Sequence, residues 1–135
     1  MTNLTVVIPT KNEEESLLIL LEELNSFKDI ISEIIVVDAK STDKTIEIAK
    51  KFECETIIQQ DEVGYGDAII KGIDKSSFGY TVVLDGDGSK NPIYIKKLFD
   101  DIINKNNDFI FAERYGPKAN SLDDTFVTYI GNRIF

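Results

Sequence analysis

Histidine is absent from this chain of 135 residues, cysteine occurs once, and positive charge is in short supply. Without histidine there is no Ser-His-Asp or Cys-His nucleophile pair and no His-ligated zinc centre. Acid–base chemistry would fall to carboxylates, lysine or tyrosine. The single cysteine, Cys54, excludes an internal disulfide and fits a reducing compartment. Its place beside an apolar run reads as a core residue rather than a nucleophile. Fifteen Lys and Arg stand against 24 Asp and Glu, a net charge of −9. That balance argues against sequence-independent binding to nucleic acid, which needs a basic surface to displace counterions. An acidic chain that holds a polyphosphate must instead recruit a cation or place a few basic residues locally. No stretch approaches the roughly 18 apolar residues of a membrane span. Met1-Thr2-Asn3 runs directly into a strand-like segment with no signal-peptide pattern. The expected location is therefore cytoplasmic.

What is present is an alternation of buried strands and amphipathic helices. With 42% hydrophobic residues the length suffices for one domain with a core. Leu4–Ile8, Ile34–Val37, Thr56–Ile58, Val82–Leu84 and Phe109–Ala112 read as five strands. Leu17, Leu20, Leu21 and Leu24 fall on one helical face, with Asn12 or Glu13 as cap. Ser41-Thr42-Asp43 is expected to cap a helix carrying Thr45, Ile48, Ala49 and Phe52. Gly64-Tyr65-Gly66 leads into a third helix, and Pro92 opens a fourth with Ile95, Leu98, Phe99 and Ile102 on one face. A last helical pattern begins at Thr125 and is still running when the chain ends. Continuous apolar strands separated by such helices imply a doubly wound α/β fold, a mostly parallel sheet with helices on both faces.

In open sheets of this kind ligands bind outside the carboxyl ends of the strands. The polar residues collect there. Lys11 and Glu13 follow the first strand, Asp38 the second, Asp85 and Asp87 the fourth, and Glu113 and Arg114 the fifth. Two carboxylates one residue apart, separated by a glycine, suit Mg²⁺ or Mn²⁺ bridging to a phosphate. For any one of these acids a turn or helix cap is the plain alternative. It weighs most for Asp38 and least for the adjacent pair, which repel unless a positive charge lies between them. Gly64-Tyr65-Gly66-Asp67-Ala68 lacks the third glycine of a dinucleotide fingerprint, and no Gly-Lys-Ser/Thr is present, so neither an NAD site nor a P-loop is expected. Lys71 and Arg114 are the basic residues best placed to neutralise phosphate.

Six ordered segments resemble the family 2 glycosyltransferases of the GT-A fold. They are Val7-Ile8-Pro9-Thr10-Lys11-Asn12-Glu13-Glu14, Ile35–Thr45, Gly64–Ala68 with Gly72, Leu84-Asp85-Gly86-Asp87 before Asn91-Pro92, Ala112-Glu113-Arg114-Tyr115, and Gly131–Phe135. Within that family the sequence looks most like the dolichyl- or polyprenyl-phosphate sugar transferases. The resemblance implies that residues 1–135 form the nucleotide-sugar-binding domain and end before the acceptor-binding half. Pro9, Lys11 and Glu13 would line the nucleobase pocket, with Asp38 accepting a hydrogen bond from the base. Asp85 and Asp87 would hold Mg²⁺ or Mn²⁺ against the donor diphosphate, Asp87 being the more direct ligand and a catalytic residue. Arg114 would assist catalysis at the phosphates or the acceptor, and Lys71 would join the nucleotide-binding set. The implied partners are a GDP- or UDP-sugar and a polyprenyl phosphate at a membrane surface.

Two departures from the family pattern stand out. Asp38-Ala39-Lys40-Ser41 replaces the usual Asp-Asp-Gly-Ser, losing a carboxylate and the turn glycine. Ser89 stands where many relatives carry Gln or His after the acidic pair. Two other readings compete: a fragment that binds a nucleotide-sugar without turning it over, and a phospho-acceptor signalling domain. The latter needs an acidic pair after the first strand, where Pro9-Thr10-Lys11-Asn12 stands, and a lysine after the last, where Arg114 stands.

Overall fold

The computed structural model describes residues 3–59 and 64–110. Four parallel strands make one sheet in the order β3-β2-β1-β4: β1 (Leu4–Thr10), β2 (Ile31–Asp38), β3 (Glu55–Ile58) and β4 (Tyr80–Val83). The helices between and after them are α1 (Glu14–Leu24), α2 (Thr45–Lys51), α3 (Tyr65–Lys75) and α4 (Tyr94–Lys105). The chain divides into two compact units, Met1–Phe99 and Asp100–Phe135. The sheet belongs to the first; among the described residues the second holds the end of α4.

β1 is buried along its whole length because it is central and covered on both faces. Successive side chains point to opposite faces. Val7, Ile35 and Val37 therefore share one side, where they pack with Ala68 of α3. Val6, Ile8 and Val36, on the other side, are equally inaccessible. α1 and α2 pack on each other, and α1 buries the four leucines that the helical spacing marks. α3 lies close to the sheet because Gly72 has no side chain. A Cβ there would sit 2.2 Å from Val7 Cγ1. Cys54 is buried, and burial pushes its thiol up to about 11, in keeping with a core residue.

Two expected boundaries move. Pro92 is not the first helical residue. It sits in a turn two residues upstream of α4, and Asn91 Oδ1 accepts a hydrogen bond from Ile93 N at 2.9 Å. The asparagine starts the turn by an Asx-type bond, so the helix begins at Tyr94. The side chain of Glu13 does not cap α1 either; that role passes to a residue 30 positions away, described below. The fifth strand beyond Ile110 and the helix from Thr125 lie outside the described residues.

Candidate active site

The order β3-β2-β1-β4 puts the topological switch point between β1 and β4. One crossover leaves β1 toward β2, while β4 joins on the opposite side. Loops at the carboxyl ends of β1 and β4 therefore diverge and leave a crevice, the usual ligand position in such sheets. A cleft of about 360 Å³ occupies this place. Pro9, Lys11 and Glu13 line it together with Asp85, Gly86 and Asp87. Gln59, Gly64 and Tyr65 complete it from the β3–α3 side. A phospho-acceptor domain of flavodoxin type orders its strands 2-1-3-4-5, with β1 flanked by β2 and β3. Here β1 is flanked by β2 and β4, which removes that reading.

The Asp85-Gly86-Asp87 turn lies directly against the end of β1. Leu84 N still donates to Val7 O at 3.0 Å, extending the ladder by one bond past β4. A Cβ on Gly86 would meet Thr10 Cγ2 at 2.8 Å and the Pro9 carbonyl at 3.0 Å. Only glycine lets the turn approach β1 this closely. Asp85 accepts a hydrogen bond from the Tyr65 hydroxyl and pairs with Lys90 Nζ at 3.6 Å. Asp87 Oδ1 accepts from Ser89 N at 2.8 Å and its side chain faces solvent. Partial burial pushes the Tyr65 phenol up to about 12, reinforced by the hydrogen bond to Asp85 and by the charges of Asp85 and Asp87.

The loops after β1 and β2 interlock. Asn12 N donates to Ser41 Oγ at 2.8 Å, and Thr42 N returns a bond to Asn12 Oδ1 at 2.8 Å. Glu13 N donates to Thr45 Oγ1 at 2.8 Å, and Lys44 N to Glu14 Oε2 at 2.9 Å. Asp43 joins both helix starts: one oxygen accepts from Glu14 N at 3.1 Å, the other from Thr45 N at 3.0 Å and Thr45 Oγ1 at 2.5 Å. Orphan N–H groups of α1 are thus satisfied across the sheet rather than locally. Burial alone would raise the Asp43 carboxyl, but the bonds from Thr45 and Glu14 outweigh it and hold it below the ordinary range.

The expected site residues divide by location. Pro9, Lys11, Glu13, Asp85 and Asp87 are brought together around the cleft, although β1 and β4 are some 70 residues apart in sequence. Asp38 is not on the cleft wall. It is 0% exposed, and its carboxylate accepts bonds from Ser41 N at 2.7 Å, Ser41 Oγ at 2.6 Å and Thr10 Oγ1 at 3.0 Å. In this structure it shapes the β2 loop, the alternative that weighed most for this residue. Lys71 is likewise turned along its own helix, where its ammonium holds Asp67 Oδ2 at 2.6 Å. That contact, together with the Gln59 amide, lowers the Asp67 carboxyl. Arg114 lies outside the described residues. Sequence reasoning passed over Tyr65, Gln59 and Lys90 as site residues. A tyrosine between two glycines at a helix start was the visible signal for Tyr65.

Asp85 and Asp87 are chemically suited to a divalent cation. Mg²⁺ is ordinarily held by one or two carboxylates, with water and substrate phosphates completing the shell. Among the described residues no third carboxylate, cysteine or histidine joins them, which fits that mode and not a cage made wholly of protein.

A doubly wound sheet with an acidic pair at its switch point defines a class of nucleotide-binding domain, and comparison with known proteins narrows it. The sequence model of glycosyl transferase family 2 matches residues 5–132. The chain is 34% identical to the dolichol-phosphate mannosyltransferase of Pyrococcus furiosus, over 82% of this chain and 33% of that protein. It is 31% identical to the dolichyl-phosphate hexose transferase of Haloferax volcanii, over 89% of this chain and 51% of that one. Among solved structures, glucosyl-3-phosphoglycerate synthase of Mycobacterium tuberculosis, in complex with Mn²⁺, uridine diphosphate and glucosyl-3-phosphoglycerate, superposes with a TM-score of 0.64. That match has 21% identity and covers 75% of this chain and 39% of that chain. The chain belongs to glycosyl transferase family 2, and its fold is that of the GT-A glycosyltransferases. It spans between a third and about half of the length of the two curated relatives.

Proposed function

We propose that this chain is the donor-binding part of a glycosyltransferase that moves a sugar from a nucleoside diphosphate to an acceptor, with a divalent cation at Asp85 and Asp87. The observation that carries the reading is the cleft at the switch point, whose lining brings the acidic pair together with Pro9, Lys11 and Glu13. Pro9, Lys11 and Glu13 receive the nucleobase. Asp38 positions the β2 loop behind them through Ser41 and Thr10. Asp87, facing solvent, is the more direct cation ligand, and Asp85 is the second. When bound, the cation supplies Lewis-acid neutralisation of the charge that grows on the departing nucleoside diphosphate. Gly86 lets the turn that carries both carboxylates pack against the end of β1, which fixes the backbone from which they reach the cation. Arg114 enters on the sequence resemblance as the basic residue at the phosphates or the acceptor. The names of the two curated relatives support a polyprenyl phosphate as acceptor, presented at a membrane surface. The uridine diphosphate and Mn²⁺ named with the structural neighbour support a nucleotide–metal pair, UDP or GDP, on this side of the reaction.

Thermal unfolding in the presence of UDP or GDP, with and without Mn²⁺, tests the donor site. The expected result is a rise in Tm with one of the nucleotides that requires the metal and is lost in Asp87→Ala. A saturating ligand at about 100 times its Kd would add about 2.7 kcal/mol. If neither nucleotide moves Tm with Mn²⁺ present, the proposal is wrong. Turnover of the matching nucleotide-sugar on a short prenyl phosphate then separates a transferase from a domain that only binds.

A further inference from the structure

Lys90 stands on the turn between β4 and α4, three residues beyond Asp87 in the chain. That turn is held at both ends. Ser89 N donates to Asp87 Oδ1, and Asn91 Oδ1 accepts from Ile93 N. Between these anchors the Lys90 side chain is long and 42% exposed, and its ammonium lies 3.6 Å from Asp85 Oδ2. The other oxygen of Asp85 is taken by the Tyr65 hydroxyl. One of the two carboxylates assigned to the cation therefore carries a positive charge supplied by the chain itself.

We infer that Lys90 is an exchangeable counter-ion: it neutralises Asp85 while the cation site is empty and is released to the donor diphosphate when the site fills. The inference rests on the donor-site reading above. An ammonium and a divalent cation on one carboxylate repel each other, so binding of the second weakens the hold of the first. The pair is partly exposed, with 42% of the Lys90 and 27% of the Asp85 side chain accessible. Its 3.6 Å separation is long, so the hold is weak and exchange is easy. A released lysine is a compact point charge suited to a phosphate. Metal and diphosphate thus favour the same state of Lys90. Each then raises the affinity of the other by the same factor, as linkage requires.

The test is Mn²⁺ binding to the full chain followed by electron paramagnetic resonance, alone and with inorganic pyrophosphate, correcting free Mn²⁺ for its complex with pyrophosphate. Wild type, Lys90→Gln, Tyr65→Phe and Asp87→Ala are compared, each checked for folding by circular dichroism. Lys90→Gln should bind Mn²⁺ alone about 3- to 10-fold more tightly, while the enhancement by pyrophosphate falls at least about threefold. Tyr65→Phe removes a neutral donor and should keep the wild-type enhancement. An unchanged enhancement in Lys90→Gln overturns the inference, and so does an equal loss in Tyr65→Phe, which would make orientation of Asp85 the cause. Mn²⁺ binding that Asp87→Ala abolishes but Lys90→Gln leaves untouched sinks the inference and spares the donor site. No Mn²⁺ bound by the wild type sinks both.

Discussion

Lys40 shows how a single residue records a departure from the family pattern. It takes φ +56° in the β2 loop, where the resembling family has glycine. The left-handed region costs an ordinary residue about 1–2 kcal/mol, which glycine avoids at some cost in chain entropy. The turn has therefore survived the loss of its glycine, held by Ser41 on Asp38 and by Asn12 across the loop. Lys40→Gly is expected to leave stability unchanged or raise it by up to about 1 kcal/mol. Lys40→Val, β-branched at the same φ, should cost about 1–2 kcal/mol. Urea unfolding of both variants measures the difference, and equal midpoints would show that the loop relaxes to another conformation. The residue scale also shows where expectation and geometry part. Asp38 and Lys71 have the chemistry of a nucleotide site, but each is engaged by neighbours a few residues away. Spacing could not reveal that Ser41 would donate twice to Asp38, whereas Asp67 and Lys71 stand at the i,i+4 distance at which helix charges pair.

At the scale of elements, the frame of the cleft wall is the clasp between the β1–α1 and β2–α2 loops. The β1–α1 loop does not cap its own helix with a side chain, whereas Asp43 of the β2–α2 loop caps both helices. Asp43 accepts from the first turns of both, and Asn12 and Ser41 tie the strand ends together. Losing a cap residue costs about 0.5–2 kcal/mol at one helix, and here two helices share one carboxylate. Asp43→Ala should therefore destabilise by about 1–3 kcal/mol, while Asp43→Asn, which keeps an acceptor, loses less. Because the clasp carries Lys11 and Glu13, metal-dependent nucleotide affinity should fall in Asp43→Ala even at temperatures where the variant is fully folded. Calorimetric titration with the nucleotide that passes the thermal test measures this. Unchanged affinity in a destabilised protein would confine the clasp to a structural role. The helices themselves were legible from periodicity, as Leu17, Leu20, Leu21 and Leu24 show. The cap of α2 was legible in Ser41-Thr42-Asp43, since Asp43 accepts from Thr45 N. The cap of α1 was not, because the partner of Glu14 N lies 29 positions away.

For the whole molecule, charge makes a definite prediction. Among the described residues three carboxylates are held below their ordinary range. Glu33 would be raised by burial, but Ser77, Thr5 and the charge of Lys75 outweigh this. Asp43 has the balance already described, and Asp67 is lowered by Lys71 and Gln59. A carboxyl whose folded value is depressed takes up its proton more readily when unfolded. Its stabilisation is complete above the ordinary values of 4.5 for Glu33 and 3.8 for Asp43 and Asp67. It is lost as pH falls through the lower folded values. With no histidine, no side chain has an unperturbed value between about pH 5 and 8. Thermal unfolding followed by circular dichroism should therefore give a Tm nearly level from about pH 8 to 5 and falling below about 4.5. A Tm that stayed level down to about pH 3 would mean that these bonds add nothing net.

The sequence by itself determined the class of fold and the positions of four strands and four helices. It also marked the acidic pair Asp85 and Asp87, at the end of the fourth strand, as the candidate centre of the proposed site. These depend on local chemistry: apolar runs that must be buried, helical spacing, and carboxylates flanking a glycine at a strand end. Tertiary structure decided which neighbours each polar group would find. It put β1 between β2 and β4, which brought Pro9, Lys11 and Glu13 to the same cleft as the pair. It buried Asp38, returned Lys71 to Asp67, and brought Tyr65 and Lys90 onto Asp85. The physical reason is range. Burial and periodicity act between residues a few positions apart, whereas the cleft, Thr10 on Asp38 and Tyr65 on Asp85 were fixed only once the sheet order had brought distant segments together. Ser41 and Asp67 are near in sequence, and there the fold decided only how the side chains turned.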